Sequence, residues 1–282
     1  MGRDVAIVTD STAHLDSGLT AERDIVVVPL QVVIDGRSLD EGTAVGPGDV
    51  ADALRRRVRV STSRPSPRAF LDAYEAAAVG GASGVVSVHI SGHLSGTADA
   101  ARLAARDSPV PVDVVDSLSL GMGLGFAVLA AAEAADRDLA VDAVADVARL
   151  RAQRSSAFFY VDTLEYLRRG GRIGAAEALL GAALAVKPLL HLVEGQIRPL
   201  EKVRTSSRAV ARLEELALQR AGRTTVDMAV HHLDNAARAE ALALRLKARV
   251  HALGQLVVAE VGAVIGAHVG PGLLAVVVCP HQ

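Results

Sequence analysis

The chain has no tryptophan, three tyrosines and four phenylalanines in 282 residues, so aromatic side chains make up only 2% of it. That scarcity argues against a stacking platform for nucleic-acid bases and leaves the core to Ala, Val and Leu. Cysteine is nearly absent as well. The single Cys279, inside the apolar run LLAVVVCP, can form neither an internal disulfide nor a cysteine metal cluster, and a buried thiol in a reducing compartment is the simplest fit. No sign of charge dominates: thirty Lys and Arg face thirty-two Asp and Glu, for a net charge of -2, which speaks against a polyanionic partner such as nucleic acid. Long hydrophobic runs are also missing, since the longest, LGMGLGFAVLAAA (120–132), is too short to span a bilayer. The opening MGRDVAIVTDST enters strand-like sequence at once without a secretory pattern, which predicts a cytoplasmic protein.

What is present is an alternation. Val/Ile-rich runs VAIV (5–8), DIVVVPLQVVI (24–34), GVVSVHI (84–90) and PVDVV (111–115) are separated by Ala/Leu-rich amphipathic stretches. This pattern predicts βαβ units and a mainly parallel sheet covered by helices near 48–57, 67–78, 97–106, 120–135 and 140–153. The segment Asp35 to Gly48 reads as an irregular excursion. After Arg154 the pattern changes to FFYV (158–161), the helical TLEYLRR, the turn RGGRI, a second helix through AAEALLGAALA, and KPLLHLVEGQIRPLEKVR. The last reads as a hairpin turning at Glu194-Gly195. Strands TTVDMAVHH (224–232) and LLAVVVC (273–279) flank the helix NAARAEALALRLKAR. The expected architecture is α/β: an N-terminal domain, 1–155, with a mainly parallel sheet covered by helices, and a C-terminal α+β domain, 156–282, with antiparallel strands.

Four hydroxyl-rich turns follow four of the strand candidates: TDST (9–12), STS (61–63), SGHLSGT (91–97) and DSLS (116–119). The carboxyl ends of parallel strands share one sheet edge, where ligands bind. Helices begin directly after several of these turns, and their unpaired amides together with Ser and Thr hydroxyls suit a carboxylate or phosphate oxygen. Helix capping explains any one cluster by itself; four together favour a ligand.

Other motifs fail. GMGLG (121–125) continues with Phe126 where a dinucleotide fingerprint needs glycine, and no GxxxxGK[ST] loop occurs. His89 and His93 straddle a strand end, where their spacing does not bring two metal ligands together. Gly92-His93-Leu94-Ser95-Gly96 puts its serine one place late for a nucleophile elbow, although a serine hydrolase using Ser95 and His268 stays open because a triad is defined by geometry. His231-His232 reads as an ordinary polar strand terminus. In the second half, YLRRGGRIG (166–174) and EKVRTSSR (201–208) bring arginines around turns; for Arg168, Arg169 and Arg208 a solvated helix end suffices. GAVIGAHVGPG (262–272) sets His268 in a glycine-rich loop that lets the backbone approach a ligand closely.

TDSTAHLD (9–16), TSRPSP (62–67), ISGHLSGT (90–97), VVDSLSLGMGLG (114–125), LEYLRRGGRI (164–173), KPLLHLVEGQIRPLEKVR (187–204) and IGAHVGPG (265–272) occur in one order. In that order they resemble the DegV family, the FakB-type fatty-acid-binding subunits of bacterial fatty acid kinase. The resemblance implies one long-chain fatty acid buried between two α/β domains and no other cofactor. Thr62 and Ser95 would hydrogen-bond its carboxylate with the amide of Gly96, and His268 would stand beside it. A separate ATP-dependent kinase subunit would phosphorylate that carboxylate, feeding phospholipid synthesis. Arg172 and Arg204 match the arginines of the kinase encounter and phosphoryl transfer, a role suited to a guanidinium fork. Transient membrane contact fits this picture without a transmembrane segment. Gly92, Arg64 and Val269 depart from the serine, glutamine and threonine usual there, which bears on acyl-chain preference and on supporting hydrogen bonds. AAEALLGAALAV (175–186) could line the acyl tunnel.

Overall fold

The computed structural model describes residues 4–179 and 187–281. In chain order the strands are β1 (Val5–Asp10), β2 (Ile25–Val28), β3 (Gln31–Ile34), β4 (Arg37–Asp40), β5 (Val60–Ser63), β6 (Gly84–His89), β7 (Val112–Asp116), β8 (Ser156–Tyr160), β9 (Lys187–Val193), β10 (Gln196–Val203), β11 (Val226–His232), β12 (Leu253–Glu260) and β13 (Leu274–Pro280). The helices are α1 (Ser17–Glu22), α2 (Pro47–Arg55), α3 (Pro67–Val79), α4 (Thr97–Ala105), α5 (Met122–Ala135), α6 (Val141–Arg154), α7 (Glu165–Arg169), α8 (Ser206–Ala221), α9 (Ala236–Arg249) and α10 (Ala263–Val269). None is long and apolar enough to cross a membrane among the described residues.

The chain divides into two compact units, Met1–Gln31 with Ser63–Gln153, and Val32–Thr62 with Arg154–Gln282. Residues 32–62, which the sequence places in the first half, therefore pack with the second. Long-range packing decides this: α2 lies against α10, more than two hundred residues later.

The first unit is a four-stranded parallel sheet in the order β2-β1-β6-β7. Alternation along each strand feeds two cores. Val5, Ile7, Val86 and Val88 meet α5 and α6 through Leu124, Ala131 and Ala148, while Val8 and Val85 meet α3 and α4 through Phe70, Tyr74 and Ala101. The α3 start is written locally, with Pro67 at its first position and Ser66 accepting the Ala69 N–H at 3.2 Å.

The second unit carries a six-stranded mixed sheet, β10-β9-β8-β13-β11-β12, antiparallel except for the β11/β12 pair. Helices α8 and α9 cover it with Leu213, Ala217, Leu242 and Leu246, against Met228, Val230 and Val276. Glu194 and Gly195, at φ 50° and 75°, form the two-residue turn expected of the β9/β10 hairpin. A separate three-stranded sheet runs β4-β3-β5.

Several expectations are corrected. The 35–48 excursion contains β4, a partly exposed RSLD strand that no apolar alternation announces. GAVIGAHVGPG folds as α10, with the glycines at its two ends and one inside it, not as an open loop. His231 and His232 are buried, not a polar terminus. Of AAEALLGAALAV, the start belongs to a 3-10 turn, Gly174–Leu179, and the remainder lies outside the described residues, so its helix and tunnel readings do too.

Candidate functional site

The hydroxyl clusters do not share one edge. Three of them follow β1, β6 and β7, which are neighbours in the parallel sheet, whereas residues 61–63 lie within β5 of the three-stranded sheet. In the first unit the three turns are laced by backbone bonds: Ser91 N–H to Ser119 O at 2.9 Å, Ser117 N–H to His89 O at 3.0 Å, and Gly121 N–H to Thr12 O at 2.8 Å. Gly92 N–H adds a bond to Asp116 Oδ2 at 3.0 Å.

Beneath these turns lies a closed polar chain that the motif search passed over. Ser87 and His89 sit two apart on β6 and so share the face covered by α3. Burial pushes the Tyr74 hydroxyl up to about 12, only partly offset by its bond to Ser87, so it stays protonated and donates to Ser87 Oγ at 2.9 Å. Ser87 Oγ then faces His89 Nε2 at 2.6 Å, and His89 Nδ1 faces Asp10 Oδ2 at 3.0 Å. Asp10 accepts further bonds from the Ile90 N–H at 3.0 Å and, on its other oxygen, from the Thr12 N–H and hydroxyl at 3.0 and 2.5 Å. Ser, His and Asp are arranged here as in a hydrolase, yet all three are 0% exposed. Their work is to fix the ends of β1 and β6. The alternation S-x-H in VVSVHI was the sequence signal for them.

Above that chain, Ser95 Oγ pairs with Thr97 Oγ1 at 2.8 Å, and Gly96 stands at the head of α4. A Cβ on Gly96 would run into Arg64 Nη1, so the guanidinium packs directly on this glycine.

In the second unit Thr62, near the end of β5, meets His268 of α10, with Oγ1 to Nε2 at 2.8 Å. The imidazole's other nitrogen is buried without a partner. It rests on Gly170, where a Cβ would strike Nδ1. Burial first, and the Arg172 charge second, hold His268 down to about 4, so it is neutral at pH 7. A bare lone pair costs less at an unpartnered buried position than an orphaned N–H. With the proton on Nε2 the imidazole donates to Thr62, and the threonine hydroxyl keeps its own hydrogen for another acceptor. Arg172 is half-buried, its Nη1 bonded to Gly170 O at 2.7 Å.

Thr62 and His268 line a cavity of about 440 Å³, together with Tyr166, Gly170 and Arg172, all from the second unit. Arg204 is exposed between β10 and α8, where Thr205 caps the helix by accepting the Arg208 N–H at 3.2 Å. Arg168 and Arg169 both bond Glu165, which holds that carboxyl down to about 2. The structure thus brings Thr62, His268 and Arg172 together in the second unit, and sets Ser95 and Gly96 in the first. Tyr166 and Gly170 were missed, although the RRGGR turn marks the second of them.

The fold is that of a two-unit α/β protein whose second unit carries a partly polar cavity. The chain belongs to the DegV family, whose model, described as "Uncharacterised protein, DegV family", matches residues 4–281. A DegV domain-containing protein of Streptomyces coelicolor is 58% identical over 278 residues, covering 99% of each chain. A solved DegV family protein from Thermus thermophilus, one that binds fatty acid, is 34% identical with a TM-score of 0.92 over 99% of this chain and 100% of its own. DegV of Bacillus subtilis, a fatty acid binding protein, is 29% identical with a TM-score of 0.90 over 99% of this chain and 100% of its own.

Proposed function

We propose that this chain binds a long-chain fatty acid and presents its carboxylate to a separate ATP-dependent kinase subunit in the cytoplasm, which converts it to an acyl phosphate for phospholipid synthesis. The chain acts as the binding subunit and supplies no catalytic residue. The observation that carries the binding half is the likeness, over 99% of the chain, to fatty-acid-binding relatives 34% and 29% identical to it.

In this reading the carboxylate accepts hydrogen bonds from Thr62, Ser95 and the Gly96 amide. His268, neutral and donating to Thr62, directs the threonine proton towards the carboxylate. Arg172 and Arg204 serve the kinase encounter and the charge that develops during phosphoryl transfer. A tail of ten buried methylenes contributes roughly 8 kcal/mol before ordering costs, and each hydrogen bond to the charged head about 1.5–3 kcal/mol. The tail thus dominates affinity, and the hydroxyls decide which end faces out.

The test of binding is to denature the purified protein and identify released lipid by mass spectrometry. A stoichiometric fatty acid is expected; an empty protein that also fails to take up added fatty acid overturns the reading. For the kinase half, reconstitution with a fatty acid kinase subunit and ATP should yield acyl phosphate, and Arg204→Ala should suppress it without emptying the pocket. Loss of lipid from Arg204→Ala would count against the role given to that arginine.

A further inference from the structure

Four acids are buried among the described residues: Asp10, Glu41, Glu214 and Asp227. Asp10 and Asp227 face histidines and Glu214 faces two arginines. Glu41, only 7% exposed in the turn after β4, holds backbone instead of a side-chain cation at its Oε1, which accepts the N–H of Val264 at 2.7 Å from 223 residues away. A buried acid costs desolvation and side-chain freedom, so the bond it keeps must secure something. Its base is fixed: the Ala44 N–H bonds Asp40 O at 2.9 Å, the Gly42 N–H bonds Val45 O at 3.0 Å, and Gly42 takes the left-handed φ of 85° that this turn requires.

What Glu41 secures is the head of α10. The residue before that helix is Gly262, which has no side chain to cap it, so the first-turn amides depend on an acceptor from elsewhere. Glu41 supplies one at the second residue of the helix, where an acid is also favoured by the helix dipole. Val264 and His268 stand four residues apart on this seven-residue helix and so share a face. At the far end His268 meets Thr62, Nε2 to Oγ1, at 2.8 Å. Gly266 lies between them, where a Cβ would crowd Leu233 at 3.2 Å, and the Tyr166 ring fills the place of a Cβ on Gly270. A helix this short and this closely packed moves as one piece, so a shift at Val264 reaches the imidazole.

We infer that Glu41 is a positioning residue: by holding the first turn of α10 it sets the height of His268 against Thr62, and with it where the Thr62 hydroxyl is held for a carboxylate. The consequence for binding rests on the function proposed above; the effect on the imidazole does not.

The experiment compares wild type with Glu41→Ala, Glu41→Gln and Glu41→Asp, each alone and combined with Thr62→Val, using delipidated full chain. Titration with a long-chain fatty acid and with the fatty alcohol of equal length reads the site, nitrogen NMR of the His268 ring reads its contact with Thr62, and thermal melting checks the fold. Glu41→Ala should bind the acid about tenfold more weakly, the effect of one hydrogen bond, and the alcohol with little change. Glu41→Gln keeps an acceptor oxygen at the same reach and should restore most of the loss. With Thr62→Val already present, Glu41→Ala should cost no further affinity, because both act through one hydroxyl. The His268 ring signals should shift in Glu41→Ala and return in Glu41→Gln. Should Glu41→Ala unfold, Glu41→Asp carries the comparison, since it keeps the acid but withdraws it by one methylene and should show the same selective loss. Equal loss for acid and alcohol, a loss that persists with Thr62→Val, or unchanged His268 signals in the folded variant overturns the inference. A protein that takes up no fatty acid defeats only the proposed function, and the His268 signals then decide the role of Glu41 by themselves.

Discussion

Two histidines in this molecule each face a hydroxyl across one ring nitrogen, and their remaining nitrogens separate them. His89 meets Ser87 at 2.6 Å and spends its second nitrogen on Asp10 at 3.0 Å, with every member of the chain sealed from solvent. His268 meets Thr62 at 2.8 Å, leaves its second nitrogen unpaired against Gly170, and borders a cavity lined by arginines. The first arrangement looks more like catalytic machinery and is scaffold. A polar group whose hydrogen bonds are all satisfied internally has nothing left to offer a ligand, whereas the Thr62 hydroxyl, on a cavity wall, keeps hydrogen-bonding capacity for one.

If that contrast is right, breaking the closed site should damage the fold and breaking the open one should damage binding. Asp10→Ala leaves His89, Thr12 and the Ile90 N–H without their buried acceptor, and denaturant unfolding should register a loss of about 3–5 kcal/mol. A loss under about 1 kcal/mol would mean that the Asp10 chain is not structural. Gly170→Ala pushes a methyl into His268 Nδ1; stability should fall by about 1–3 kcal/mol, and fatty acid affinity should drop more steeply than stability. A variant that binds normally would show that His268 can move without consequence. His268→Gln should change stability at pH 7 by less than about 1 kcal/mol while weakening the fatty acid, measured by ligand titration.

A further effect concerns acid. In the unfolded chain the His268 imidazole has its ordinary value of 6.5, and in the folded protein burial holds it at about 4. Below pH 6.5 the unfolded chain takes up a proton that the folded one refuses, so this group's contribution to stability is intact above 6.5 and declines towards pH 4. His231, also held at about 4 by burial, adds to the same decline. His268→Gln should therefore flatten the loss of stability between pH 6.5 and 4 and leave pH 7–8 unchanged; an identical slope would place the acid sensitivity elsewhere.

Local signals carried much of this architecture. The strands at 5–10, 84–89 and 112–116, the Ser66-Pro67 helix start and the Glu194-Gly195 turn are each encoded by neighbouring residues, through alternation, capping and left-handed turn geometry. What was illegible depends on distant partners. α10 reads as a loop because of its glycines, yet Gly266 lies inside the helix where a Cβ would crowd Leu233 at 3.2 Å. Residues 32–62 join the second unit through the packing of α2 on α10, which no local pattern reveals. Helix α8 was readable and missed: Thr205 caps it, and Ala209, Leu213, Ala217 and Ala221 recur every four residues on its buried face. Of the candidate site, Thr62 and His268 stand in motifs that the sequence displays, but that they touch each other, with Gly170 behind, follows from tertiary packing alone.

The most direct measurement is titration of delipidated protein with a long-chain fatty acid and with the fatty alcohol of equal length, comparing wild type with Thr62→Val. Valine keeps the shape of threonine and removes the hydroxyl, so the fatty acid should bind about tenfold more weakly to the variant while the alcohol binds the two proteins with little difference. Equal loss for acid and alcohol, or no loss for the acid, would contradict the role of the Thr62–His268 pair in holding the carboxylate.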